Sequence, residues 1–262
     1  MGRDWEFYLT EVDHKPASIS LDLALRDQAP IEQLPIRVVF RLFLRTPRED
    51  GLSTQEEFER LSQIEEVLFQ SAKEADTPVL FVGRVTFGGF RDFFFYSADD
   101  RAPRTLLSTA MTAFPEYQFE VEAAPEPDWS TYLGFLYPSA RDRRVIQNRR
   151  VLETLASHGD VHEQPREVTH WIYFANSNGR QRYQAIVQKS GFQIVDSWEN
   201  EEEDGDQPMG LQIARVDRVD YHSINEVVLY LHDKAIECKG NYDGWETQVT
   251  IPKPDGAAET ES

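Results

Sequence analysis

One cysteine, Cys238, stands in 262 residues, which excludes an internal disulfide and any zinc site built on cysteines. Basic residues are scarce: 27 Lys and Arg face 46 Asp and Glu, for a formal net charge of -19. Such a surface repels phosphate backbones, so direct nucleic-acid binding is not expected without a local basic patch. It suits a partner that presents a basic segment. No stretch reaches the roughly 18 apolar residues of a membrane span. The opening "MGRDWEFYLT" carries acids where a signal peptide needs an apolar run, and Glu6 stands where a myristoylation motif needs Ser or Thr. A cytoplasmic protein without membrane association is expected.

Catalytic signatures are missing too. The chain has no GxSxG, no GxxxxGK[ST] and no HExxH. His158 and His162 in "HGDVH" are four apart, but Gly159-Asp160 is expected to break the helix that would align them. No catalytic residue, metal or cofactor is assigned, and the expectation is a protein that is not an enzyme.

What is present is a pattern. Hydrophobic residues make up 40% and aromatics 12%, enough for packed cores. "DWEFYLTEVD" and "ASISLDLAL" predict two strands, the second alternating Ile19, Leu21, Leu23 and Leu25. "IRVVFRLFL" predicts a third. Thr54 with Glu57, or Ser53 with Glu56, can box the start of a helix whose Phe58, Leu61, Ile64, Leu68 and Phe69 follow a period of 3.6, with Glu65 as the polar exception. Two strands around Gly88-Gly89 read as a hairpin. "RTLLSTAMTAF" predicts a helix, "YQFEVEA" a strand, and "PEPDWSTYLGFLYP" a Pro-bounded connector. From Ile36 to Ala123 the order is strand, helix, strand, strand, helix, strand.

The second half repeats that order behind a leading helix, "DRRVIQNRRVLETLASHG". "REVTHWIYFA" is a strand, "SNGRQRYQAIVQKSG" a helix, and "FQIVDSWEN" and "LQIARVDRVD" are strands. "YHSINEVVLYLHDKAIECKG" is a helix running to Gly240, and "YDGWETQVTI" is the last strand. The fold class read from this is α+β, with two ferredoxin-like (βαββαβ) domains, the first carrying an extra N-terminal strand pair. The boundaries are 1–138, 139–254 and a polar tail, 255–262, expected to be disordered.

Two charge clusters stand out. The run around Glu201, Glu202, Glu203 and Asp204 is either a solvated hairpin tip or a docking surface for a basic segment. "ARDRRVIQNRR" gathers Arg143, Arg144, Arg149 and Arg150, which either contact RNA or pair with the acidic body.

"GD…PREVTHWIYF", the Gly191-Phe192 helix exit and "YDGWETQV" together resemble the RraB family, protein regulators of ribonuclease E activity, over roughly Asp142 to Pro254. The front half, with "VGRVTFGGFRDFFFY" and "WSTYLGFLYP", resembles an uncharacterised bacterial domain that is often joined to it. The resemblance implies a ferredoxin-like C-terminal domain and an inhibitory protein partner of a ribonuclease. The chain departs from the short regulators in its whole extra domain and in acidity spread over both halves. Asp243-Gly244 is expected to make a kink or bulge that points Tyr242 and Trp245 differently, one into the core and one outward.

The resulting expectation is a non-enzymatic, partner-binding protein. Its contact residues are Glu201, Glu202, Glu203, Asp204, Trp171, Tyr242 and Trp245, and its partner is possessed of a basic segment. The alternatives are an RNA-binding module through Arg143, Arg144, Arg149 and Arg150, or a small-ligand or hydrolase site in a cleft between the domains.

Overall fold

The structure, a computed structural model, describes residues 3–199 and 207–251. It divides into two units, Met1–Ser139 and Ala140–Ser262. Each is α+β, built on its own antiparallel sheet.

The first unit contains β1 (Trp5–Val12), β2 (Lys15–Asp22), β3 (Ile36–Phe43), α1 (Gln55–Lys73), β4 (Val79–Phe87), β5 (Phe90–Ser97), α2 (Arg101–Ala110) and β6 (Phe119–Pro125). Its six strands run in the order β1-β2-β4-β5-β3-β6. Alternation along β3 sends Val38, Phe40 and Leu42 inward against Leu61, Ile64 and Leu68 of α1 and Leu107 of α2. Thr54 caps α1 by accepting from the Glu57 amide. The Glu57 carboxylate turns to the preceding loop instead of closing a reciprocal box, accepting from the amides of Arg45 at 2.8 Å and Thr46 at 3.1 Å. Burial alone would raise its pKa, but those hydrogen bonds outweigh it and hold it below the usual carboxylate value. Phe58, assigned by periodicity to the apolar stripe, is exposed at the stripe's edge.

Three other details of this unit depart from the sequence pattern. The second strand stops at Asp22, whose carboxylate accepts from the amides of Ala24 and Asp4, so Leu23 and Leu25 lie in a 3-10 turn and not on a strand face. The register of β4 shifts between Phe81 and Gly83, leaving Val82 as an extra residue. That bulge turns Arg84 and Thr86 to the helix side and Val82 and Val85 to the other.

The predicted connector is the third. Trp129, Tyr132 and Leu136 are fully buried over the sheet face opposite the helices. Trp129 stacks on Tyr96 at 3.9 Å and donates its indole N–H to Leu34 O at 2.9 Å. Tyr132 donates to Asp22 O at 2.7 Å, and Tyr8 donates to Leu136 O at 2.9 Å. Each aromatic buries its body and finds a carbonyl for its polar tip. Trp129 holds φ at +53°, a left-handed conformation uncommon for a bulky residue, kept by this packing. Both faces of the central strands β4 and β5 are therefore covered, while β1 leaves Phe7 and Leu9 exposed on the helix side.

The second unit contains α3 (Ala140–Ser157), β7 (Arg166–Phe174), α4 (Ser177–Lys189), β8 (Gln193–Glu199), β9 (Met209–Asp217), α5 (Tyr221–Glu237) and β10 (Gly240–Thr247). The strand order is β10-β7-β9-β8. Val168, Ile172 and Phe174 of β7 pack against Val228 and Leu231 of α5. Asn176 caps α4 and Asp220 caps α5, each side chain accepting from first-turn amides. The last helix stops at Glu237, short of the predicted end, with Cys238 buried as its cap and Lys239 at φ +58°. Gly240 therefore belongs to β10, where a Cβ would meet the Phe174 ring at 2.4 Å. No helix among the described residues is long and apolar enough to cross a membrane.

Candidate functional site

The stretch "NYDGWE" is organised by a bulge. Tyr242 pairs with Ile172, Gly244 with Trp171 and Trp245 with His170, leaving Asp243 as the extra residue. In a regular strand, residues three apart point to opposite faces. The extra residue cancels that, so Tyr242 and Trp245 share one face, and both are buried in the core. The bulge is where the sequence placed it; the expectation that one ring points outward is corrected. Arg144 of α3 fastens the bulge, donating to Asp243 O at 2.7 Å and to Tyr242 O, with its guanidinium over the Tyr242 ring. This arginine, a candidate RNA contact, thus has its donors turned inward onto the protein's own carbonyls.

Beneath the bulge runs a buried polar chain. Trp245 Nε1 donates to Asn148 Oδ1 at 2.8 Å, and Asn148 Nδ2 donates to Asn225 Oδ1 at 2.8 Å. Tyr242 Oη lies 2.8 Å from His170 Nδ1. Burial pushes the Tyr242 hydroxyl well above its ordinary pKa. Burial, aided by Arg215, pulls His170 down to about 3. Both stay neutral through the physiological range. Asn148 and His170 were missed in the sequence. Asn148 sits among Val145, Leu152 and Leu155 at inward helical spacing, and His170 lies between Val168 and Ile172 on the inward strand period.

The opposite face of the sheet has a different character. The register places Trp171 and Tyr173 of β7, Gln212 and Gly210 of β9, and Asp196 and Trp198 of β8 on it. A Cβ at Gly210 would stand 2.1 Å from the Trp198 ring, so only glycine lets that ring lie across the strand. Tyr173 and Trp198 meet edge to face at 6.1 Å. Glu167 and Glu246 lie on the same face, exposed with Asp196, and the three aromatics are half-buried. None of the outward positions of these four described strands is Lys or Arg.

Of the predicted contact residues, then, Trp171 lies on this face while Tyr242 and Trp245 lie inside. Glu201, Glu202, Glu203 and Asp204 lie outside the described residues. Arg149 pairs with Glu153 at 3.8 Å. His162 and His158 are separated by the turn at Gly159, φ +77°. Asp160, between them, is engaged by Arg166 at 2.6 Å and by the Thr250 amide. Among the described residues no group of three metal-ligating side chains occurs.

Fold and site together define a two-unit α+β protein whose distinguishing surface is an acidic, aromatic sheet face. The chain belongs to the family of unknown function DUF695, whose family model matches residues 3–137. Residues 145–247 match the family model of regulator of ribonuclease activity B, RraB, a regulatory family and not a family of enzymes. No curated protein matches the chain. Among solved structures, the crystal structure of an unknown protein from Galdieria sulphuraria is matched over 80% of this chain and 96% of its own, at 14% identity and a TM-score of 0.22.

Proposed function

We propose that the chain is a cytoplasmic, non-enzymatic regulator that binds a ribonuclease of the E type through the open sheet face of its second unit. We read both units as ferredoxin-like, a reading supported by the order β10-β7-β9-β8 and its mirrored counterpart β4-β5-β3-β6. The observation that carries the functional reading is the face itself: Trp171, Tyr173 and Trp198 flanked by Glu167, Asp196 and Glu246. Tryptophan and tyrosine are the side chains on which interface energy concentrates. Carboxylates with no cation among them favour a basic protein segment and oppose a phosphate backbone. This argues against the RNA-binding alternative, although aromatic sheet faces do stack bases in other proteins.

The test is cleavage of a defined RNA by purified ribonuclease E with and without the full chain, alongside calorimetric titration of the two proteins. Binding that slows cleavage, weakens as salt rises and drops about tenfold or more in Trp171→Ala supports the reading. A chain that leaves the rate unchanged and shows no heat of binding refutes it.

A further inference from the structure

The first unit holds a cavity that the regulator reading does not use. It lies on the helix side of the sheet, where the added hairpin β1–β2 reaches beyond the cover of α1, and has a volume of about 380 Å³. Register explains its lining. Leu9, Ser18, Thr86 and Arg91 form one cross-strand row, and Phe7, Ser20, Arg84 and Phe93 form the next. Arg84 and Thr86 face this way only because of the bulge at Val82. Three arginines (Arg48, Arg84 and Arg91) line the cavity and no carboxylate does, in a chain of net charge -19.

The carboxylates that balance these cations stand outside the cavity lining. Arg91 is 2% exposed and donates its Nε–H to Thr86 Oγ1 at 2.8 Å. Its Nη1 has no hydrogen-bond partner and stands 3.9 Å from Glu65 Oε2. Arg84 Nε approaches that same oxygen at 2.6 Å, but at an angle that leaves its N–H without a hydrogen bond. Arg48 holds Asp50 at 2.6 Å. Glu57 also acts electrostatically on Arg91, so three carboxylates, none of them in the cavity lining, face the three guanidiniums. Burial, with Arg84 adding to it, lowers the Arg91 pKa to about 9. A buried donor without a partner is costly, and a cation in that position more so. The walls are apolar at the mouth, where Leu9 is 65% exposed and Phe58 45%.

We propose that this cavity binds a small monocarboxylate with an apolar tail, its carboxylate on Arg91 and Arg84 and its tail along Leu9 and Phe58. A guanidinium's planar fork of N–H donors matches the geometry of a carboxylate. The apolar mouth at Leu9 and Phe58 fits an anion with a tail and offers a free phosphate nothing beyond charge. A few convergent polar groups beneath apolar walls is the ordinary make-up of a small-molecule site.

The experiment is calorimetric titration of the full chain with sodium octanoate, 1-octanol and inorganic phosphate in turn. Saturable binding of octanoate, weaker by about tenfold or more for octanol and for phosphate, is expected. Arg91→Met should abolish it while keeping the fold, because an apolar side chain of similar length replaces a buried cation that carries an unpartnered donor. Should that variant fail to fold, Leu9→Glu carries the test: it changes an exposed residue and sets a repelling charge at the mouth, and it should weaken octanoate by about tenfold. Absence of octanoate binding, or binding unchanged in the variant that folds, overturns the proposal. Phosphate bound as tightly as octanoate overturns the assignment of a carboxylate with a tail.

Discussion

The two sheets share an internal strand order and differ in what covers them. In the first unit, helices α1 and α2 close one face, and Trp129, Tyr132 and Leu136 close the other. In the second, the cores of α3, α4 and α5 gather on one face, and the other is left to Trp171, Tyr173 and Trp198 among carboxylates. An antiparallel sheet needs only one buried face, so covering the second is a choice made by a few side chains. The same strand order thus yields a two-sided core in one unit and an interaction surface in the other. Chemistry also divides: the exceptional charges of the first unit are arginines around a cavity, and those of the second are acids on a face.

The comparison can be broken most severely at Trp129. Trp129→Ala removes a buried stacked ring and its hydrogen bond, and should cost the first unit about 3–5 kcal/mol. Trp171→Ala, on the open face of the other sheet, should cost under about 1 kcal/mol, since half-exposed positions lose little. Urea denaturation of both variants measures the contrast, and equal losses would erase the distinction between a covered and an open face.

Acid should separate the units next. His170 is neutral in the folded state down to about pH 3 but has an ordinary value of 6.5, so unfolding takes up a proton between those values. Its contribution to stability is complete above pH 6.5 and falls by about 1.4 kcal/mol per pH unit below it. Glu57 is depressed below its ordinary 4.5, so its contribution persists until pH falls through that value. The second unit is therefore expected to begin losing stability at a milder pH, and His170→Gln should flatten its slope between pH 6.5 and 5. Stability measured by denaturant titration across that range checks this; a slope unchanged in the variant would remove His170 as its origin.

Glu57→Gln should cost the first unit about 1–3 kcal/mol, by weakening the hydrogen bonds that tie the Arg45–Thr46 amides to α1. Thr54→Ala should cost about 1 kcal/mol through the lost cap. Thermal melts of the two variants rank them, and the reverse ranking would mean that Glu57 matters less than the cap beside it.

Much of this was legible residue by residue. Alternation in "IRVVFRLF" and "REVTHWIYF", the cap at Thr54, the hairpin at Gly88-Gly89 and the bulge at Asp243 all follow from local chemistry that a sequence displays. The site was less legible. Trp171 was named as a contact residue from the sequence, but Trp198 could be joined to it only through the pairing of β8 with β9, and Gly210 acquires meaning only beneath that ring. Tyr242 and Trp245 were assigned to different faces because the count of residues across a bulge depends on the partner strand, not on the bulged one. "PEPDWSTYLGFLYP" read as a connector because no period of 2 or 3.6 marks a segment that packs by individual aromatics.

The sequence by itself determined the element order, the cap at Thr54, the scarcity of cations and the two units, because propensity, patterning and charge are local or additive quantities. Only the tertiary structure decided which face each aromatic occupies and that Arg84 and Arg91 converge around a cavity without a carboxylate in its lining. The reason is physical: register and bulges are settled between strands far apart in the chain, and a shift of one residue exchanges the inside of a sheet for its outside.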